Sequence, residues 1–264
     1  MADNGGGAAA AGVVLGIIMA AQLGNWGSDN PDSDVSVGRD RTESSGIDDG
    51  APSDGSSGIP GVGLDVPGVI RTTGRDGTTV ALTFSSGPDP RNTPQTLDIL
   101  ADRGVDATFC VIGAAAQEHP ELVGRIAAEG HTLCNQTASA DFGLYGQDDA
   151  TIRLEISGGT ASIQAAAPNA PVPFFRAPGG NFSAELVDAA EDAGQASLGW
   201  NVDPRDWETL DAAAIRDAVV DNVQPGSIVI LHDGVDDMNQ TVDALPGIID
   251  DLQAAGYTFV IPAS

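Results

Sequence analysis

From Thr78 to the C-terminus, short runs of β-branched and apolar residues alternate with longer stretches whose apolar residues recur at helical spacing. Strand-like runs fall at 78–83, 107–112, 132–135, 172–176, 196–202, 227–231 and 257–261. Helical patterns fill 93–103, 120–129, 150–166, 183–193, 212–223 and 241–255 between them. Thr93 is placed to cap the first helix and Gly104 to stop it, Ser183 caps the fourth, and Gly158 and Gly159 dilute the third. The strands are apolar throughout rather than alternating, so both of their faces are expected to be buried. That demands a parallel sheet covered by helices. Seven such units can stay open and doubly wound or close into an incomplete barrel, and periodicity does not separate the two. In either form, functional residues belong at the C-terminal ends of the strands.

The first 77 residues have a different character. Residues 1–23 contain the apolar, uncharged run AAAAGVVLGIIMAAQL (8–23), which reads as the core of an export signal or short membrane anchor. No positive charge precedes it, unlike an ordinary signal, since the first arginine is Arg39. Residues 24–77 are rich in Gly, Ser, Asp and Pro without period and read as a disordered linker. A protein secreted or tethered outside the cell is the localisation this layout implies, with one folded domain over 78–264.

Charge narrows the partners. The formal net charge is −27, and all 11 basic residues are arginine. Such a surface repels nucleic acid and anionic membranes. No feature points to a protein partner. Two cysteines, Cys110 and Cys134, fall in neighbouring predicted strands. A bridge and a pair of buried thiols are both compatible with that placement.

Five polar segments stand at the predicted strand ends: Thr83-Phe84-Ser85-Ser86-Gly87-Pro88; Gly130-His131 through Asn135-Gln136-Thr137-Ala138-Ser139-Ala140; Arg176-Ala177-Pro178-Gly179-Gly180; Trp200 through Asp203 to Asp206-Trp207; and Leu231-His232-Asp233. Their order and spacing resemble the NodB-homology domain of carbohydrate esterase family four, the polysaccharide deacetylases. This resemblance runs from about Thr78 to Ser264 and implies an α/β fold, an incomplete (β/α) barrel of about seven strands in a single domain. It also implies cell-wall glycans, such as peptidoglycan or chitin-like polymers, as the substrate class, and zinc or another divalent metal as cofactor.

The resemblance assigns roles residue by residue, and half of them fail here. The family's first segment carries two aspartates, a general base and a metal ligand, where this chain has Ser85 and Ser86. Its two histidine ligands, four residues apart, correspond to Gln136 and Ala140. Serine is no base near neutral pH, alanine has no donor atom, and neutral oxygens are poor zinc ligands. No metal is therefore expected. The other half is retained: His232 matches the general acid, Asp206 the carboxylate that tunes it, and Arg176 the partner of the base. Trp207, Leu231, Asp203 and Pro178 match or adjoin the substrate groove.

The reading that follows is a catalytically impaired or dead deacetylase homologue. Arg176, lacking its carboxylate, is expected to turn toward Asp203 or Asp206 or to hold a small anion. Three alternatives are weighed against it. The first is an active deacetylase with substitute ligands among His131, Asp203, Asp206 and Asp233. The second is a serine hydrolase built from Ser85, His232 and Asp206. The third is a structural surface protein without a ligand.

Overall fold

A computed structural model describes residues 63–208, 211–234 and 239–264. The apolar run at 8–23 and most of the Gly/Ser/Asp-rich stretch lie outside the described residues. The elements run β1 (Thr79–Gly87), α1 (Asn92–Arg103), β2 (Thr108–Val111), α2 (Gly113–Glu118), α3 (Pro120–Ala128), β3 (Thr132–Asn135), α4 (Asp149–Ala166), β4 (Phe174–Phe175), α5 (Ala184–Asp192), β5 (Ala196–Ser197), α6 (Ala212–Asn222), β6 (Ser227–His232), α7 (Asn239–Ala254) and β7 (Thr258–Phe259).

Every strand pair is parallel. The order across the sheet is β5-β4-β3-β2-β1-β6, with β7 pairing the start of β1. The chain after β5 then crosses to β6, where Val202 bridges Val229 and the Asn201 and Val202 amides donate to the Ile228 carbonyl. The sheet thus curls into a barrel whose last seam is a short contact instead of a full strand.

The two faces of β1 explain why its sequence has no apolar gaps. Val80, Leu82 and Phe84 point outward into a core shared with α1, α6 and α7, while Ala81 points inward with Cys110, Ile228 and Ile230. Thr83 and Ser85 continue the inward row at the top of the strand and are buried there, both under 2% exposed. At their register Cys110 of β2 lies opposite Cys134 of β3, and the two form a disulfide.

Two expectations need correction, and one helix is added to those the periodicity predicts. Residues 63–77 are packed on the domain rather than belonging to a loose linker. Leu64 is buried, Gly63 N donates to Phe182 O at 2.9 Å, and Ile70 bridges Leu198. The few apolar residues in GLDVPGVI suffice, although composition averaged over the stretch hides them. Thr93 does not cap α1. Asp89 does that work, accepting from the Arg91 and Asn92 amides at 2.8 and 3.0 Å, while Thr93 lies inside the first turn. The helix α2 went unforeseen because six residues, GAAAQE, carry no measurable period.

Candidate functional site

Four strand-end loops converge over the barrel mouth. The first is the end of β1. Ser86 has φ 69° and is followed by a cis Gly87-Pro88 bond. The second is the 136–140 loop after β3, in which Thr137 and Ala140 have φ 69° and 58°. These three residues sit in the left-handed region that bulky side chains avoid and that Asp, Asn and His visit more readily.

The 136–140 loop is moulded by its neighbours. Gly113 and Ala114, opening α2, donate to the Thr137 and Ala138 carbonyls at 2.9 Å each. On the other side Ala138 N donates to Glu155 O, and Ser139 donates through N and Oγ to the Glu155 carboxylate. The approach of α4 depends on Gly159, where a Cβ would come within 2.2 Å of Asn135 Oδ1 and 2.7 Å of Thr137 C. The paired glycines that dilute the helical pattern of α4 are what lets it touch the loop.

The two loops are tied by a substituted position: the Ser86 amide donates to Gln136 Oε1 at 2.7 Å. Gln136 is buried and this bond fixes its oxygen. Ala140 offers only its backbone, whose amide donates to Thr137 Oγ1 at 2.9 Å. Among the described residues, no group of three or more His, Cys, Asp or Glu side chains is placed to hold a metal ion.

Ser85 is not free either. Arg176, at the end of β4, reaches across the barrel interior and donates from Nη1 to Ser85 Oγ at 2.9 Å. Its remaining donors go to Thr83 Oγ1 at 3.0 Å, the Leu198 carbonyl at 3.1 Å and the Gly199 carbonyl at 3.4 Å. Trp200 lies under the guanidinium, 5.3 Å from its centroid. The side chain therefore neither turns to Asp203 or Asp206 nor leaves the barrel. It is satisfied by neutral acceptors alone. Burial pushes its pKa down to about 9, with Asp203 the one charge pulling it back. At neutral pH this is a buried cation without a hydrogen-bonded anion.

The far side of the mouth is built on β6. His232 Nδ1 lies 2.7 Å from Asp206 Oδ1, so with Asp206 ionised the Nδ1 proton is held there and Nε2 is left for the groove. Asp206 Oδ2 accepts from the His232 amide and from Thr241 Oγ1, both at 2.8 Å. Asp206 is fully buried and His232 only partly. Asp233, next along, is buried and accepts from Thr93 Oγ1 at 2.7 Å; burial pushes its carboxyl up to about 7.

Ser85 and His232 are register partners on adjacent strands, yet no hydrogen bond joins them, and Ser85 Oγ is committed to Arg176. A serine triad is not assembled. His131 is at the opposite end of β3 from Gln136, its Nδ1 accepting from Ala107 N and its ring against Phe109. With Asp206 and Asp233 already bonded elsewhere, the substitute ligands do not converge. Leu231 is fully buried among the residues under the outer helices and Pro178 is buried too, so neither offers surface to a ligand. Trp207 and Asp203 are exposed.

Residues 73–198 match the family model for polysaccharide deacetylase. The chain is 40% identical over 202 residues to a chitooligosaccharide deacetylase of Sinorhizobium fredii, covering 71% of this chain and 93% of that protein. Among solved structures, the Bc1960 peptidoglycan N-acetylglucosamine deacetylase is similar at 32% identity and TM-score 0.70, covering 74% of this chain and 90% of its own. BA3943 of Bacillus anthracis, a pseudoenzyme of carbohydrate esterase family four, is similar at 26% identity and TM-score 0.68, covering 73% and 66%. A mutant of BA3943 with restored enzymatic activity has been solved as well. With the strand-end segments in place on a curled parallel sheet, this chain belongs to the polysaccharide deacetylase family.

Proposed function

We propose that this protein is an exported member of the family that binds N-acetylated cell-wall glycan without deacetylating it. The observation that carries the reading is the Arg176–Ser85 bond: a hydroxyl occupies the position of the general base, and it accepts a hydrogen bond from a cation. A carboxylate there would be held ionised and could take a proton from water. The hydroxyl cannot at neutral pH.

The donor set at the mouth does not fit a divalent metal. Ser86 and Gln136 contribute neutral oxygens, Gln136 Oε1 is already bonded to the Ser86 amide, and Ala140 contributes nothing. The backbone supports the same view from another direction. Ser86 and Ala140 hold left-handed conformations that favour Asp and His, the residue types the family resemblance assigns to those positions. A scaffold shaped for ligands, carrying side chains that cannot ligate, is what a lost site leaves behind. That one family relative is a solved pseudoenzyme gives the reading a precedent. The buried disulfide favours an oxidising compartment outside the cytoplasm.

The deciding experiment is metal analysis of dialysed protein paired with acetate release from N-acetylglucosamine oligomers. Neither bound zinc nor acetate is expected. Metal-dependent acetate release by the unmodified chain overturns the reading.

A further inference from the structure

Among the described residues Arg176 is the only buried arginine. Its four hydrogen bonds use Nε once, Nη1 once and Nη2 twice. A guanidinium carries five N–H groups, so the second proton of Nη1 meets no acceptor among the described residues. Nη1 is the nitrogen nearer the mouth, because it reaches Ser85 while Nη2 reaches Thr83, lower on β1. Ser85 Oγ accepts from Nη1 and donates to no described residue, so its hydroxyl proton is a second unused donor at the same place. His232, the register partner of Ser85, is 15% exposed, which puts both donors just beneath the opening.

Burying a donor without an acceptor costs stability, and burying a charge without a counter-charge costs more. Hydroxyl and carbonyl oxygens and the face of Trp200 reduce that cost without cancelling the charge. Burial lowers the Arg176 pKa to about 9, which leaves the guanidinium charged at neutral pH. An aspartate at position 85 would extend from the same Cβ past the hydroxyl by a carboxylate group. Serine leaves that length for another acceptor. The acceptor must be small and singly charged: one guanidinium does not balance a divalent anion, and Asp203 and Asp206 stand on the His232 side of the mouth to repel it.

We propose that Arg176 Nη1 and Ser85 Oγ bind one small monovalent anion, chloride in ordinary solution. The anion supplies the counter-charge that the side chain at position 85 does not, and it links the stability of the barrel to halide concentration. The net charge of −27 repels anions at long range. That field is screened beyond about 8 Å at physiological ionic strength, so recruitment depends on the two donors. The site stands whether or not the mouth takes up glycan or releases acetate.

The test is urea unfolding of the full chain at constant ionic strength, with sodium gluconate exchanged for sodium chloride from about 10 mM to about 1 M. Constant ionic strength fixes the screening, and gluconate is too large for the site. One bound anion multiplies the folding constant about elevenfold at ten times its Kd. The slope of log folding constant on log chloride should therefore approach one in the parent. In Ser85→Asp, whose own carboxylate fills the place, the slope should be near zero, and its advantage over the parent should shrink as chloride rises. Ser85→Ala keeps the guanidinium and should keep a slope. General salt effects move parent and Ser85→Asp alike, so equal slopes in the two overturn the proposal. A second reading needs no change at position 85. Trp200 lies under the guanidinium, 5.3 Å from its centroid, and is nearly buried. With Trp26 and Trp207 replaced by phenylalanine, bromide should quench Trp200 fluorescence to a plateau, and added chloride should relieve the quenching. Quenching that rises linearly with bromide and ignores chloride overturns the site, even where Ser85→Asp fails to fold.

Discussion

Restoring a carboxylate beside Arg176 is the sharpest perturbation this site offers. The guanidinium is buried and meets only hydroxyl and carbonyl oxygens, with Ser85 Oγ the acceptor at 2.9 Å. Ser85→Asp places an anion where the neutral oxygen now sits. A hydrogen bond to a charged group is worth about 1.5–3 kcal/mol, against about 1 kcal/mol for a neutral one. Desolvation of the new carboxylate and its slightly greater size offset part of that difference of about 0.5–2 kcal/mol, leaving a net stabilisation of about 0.5–1 kcal/mol. In a domain of this size that raises the melting temperature by roughly 1–4 °C. The pairing should hold the new carboxyl below the usual aspartate range. Its contribution is then fully present above the unfolded pKa near 4 and is lost as pH falls through the lower folded value. Ser85→Asn is the control, with the same size and no charge. Urea unfolding of the three proteins at pH 7 and pH 3 is the assay. If Asp and Asn variants shift stability equally, Arg176 is not under-compensated and the reasoning fails.

Rebuilding the ligands is a separate matter. Ser86→Asp, Gln136→His and Ala140→His together should bind zinc that survives dialysis, while any one alone should not, and adding Ser85→Asp should give acetate release. Losing the Gln136 acceptor should cost the metal-free variant about 1 kcal/mol, recovered when zinc is added, as a calorimetric scan will show. Asp233, with its carboxyl pushed up to about 7, keeps its proton in the fold at pH values where the unfolded chain has released it. Stability should therefore fall as pH rises from about 4 to about 7. Asp233→Asn, still able to accept from Thr93, should flatten that slope in urea titrations; a parent-like slope in the variant would assign it to other groups. Replacing Cys110 and Cys134 by alanine opens a cross-link spanning 24 residues. Unfolding free energy should drop by about 3–4 kcal/mol, whereas an unchanged midpoint would mean the bridge contributes nothing.

Much of the architecture was readable because burial on both faces leaves a strong mark. The apolar runs of β1, β2 and β6 and the segments Thr83–Pro88 and Leu231–Asp233 announce strands with polar ends. What stayed hidden depends on contacts distant in sequence. Nothing near Arg176 says that Thr83, Leu198 and Gly199 will receive its donors. Phe142 reads as one more apolar residue in a loop until Gly179, 37 positions away, turns out to be its seat. Cys110 and Cys134 could be paired only once the β2–β3 register put them opposite each other. Composition misled at 63–77, where four apolar residues outweigh their Gly- and Pro-rich surroundings.

The contacts around α4 have a further consequence. The backbone of the 136–140 loop is dictated by Glu155, Gly159 and the first amides of α2, none of which takes part in any chemistry at the mouth. The shape of the loop and the side chains it displays are therefore specified by different stretches of chain, free to change at different rates. Side chains at Gln136 and Ala140 can be exchanged many times over while the loop persists, so a change of chemistry there is reversible. It becomes irreversible when a residue larger than glycine enters at position 159, because the helix must then retreat and the loop loses its mould.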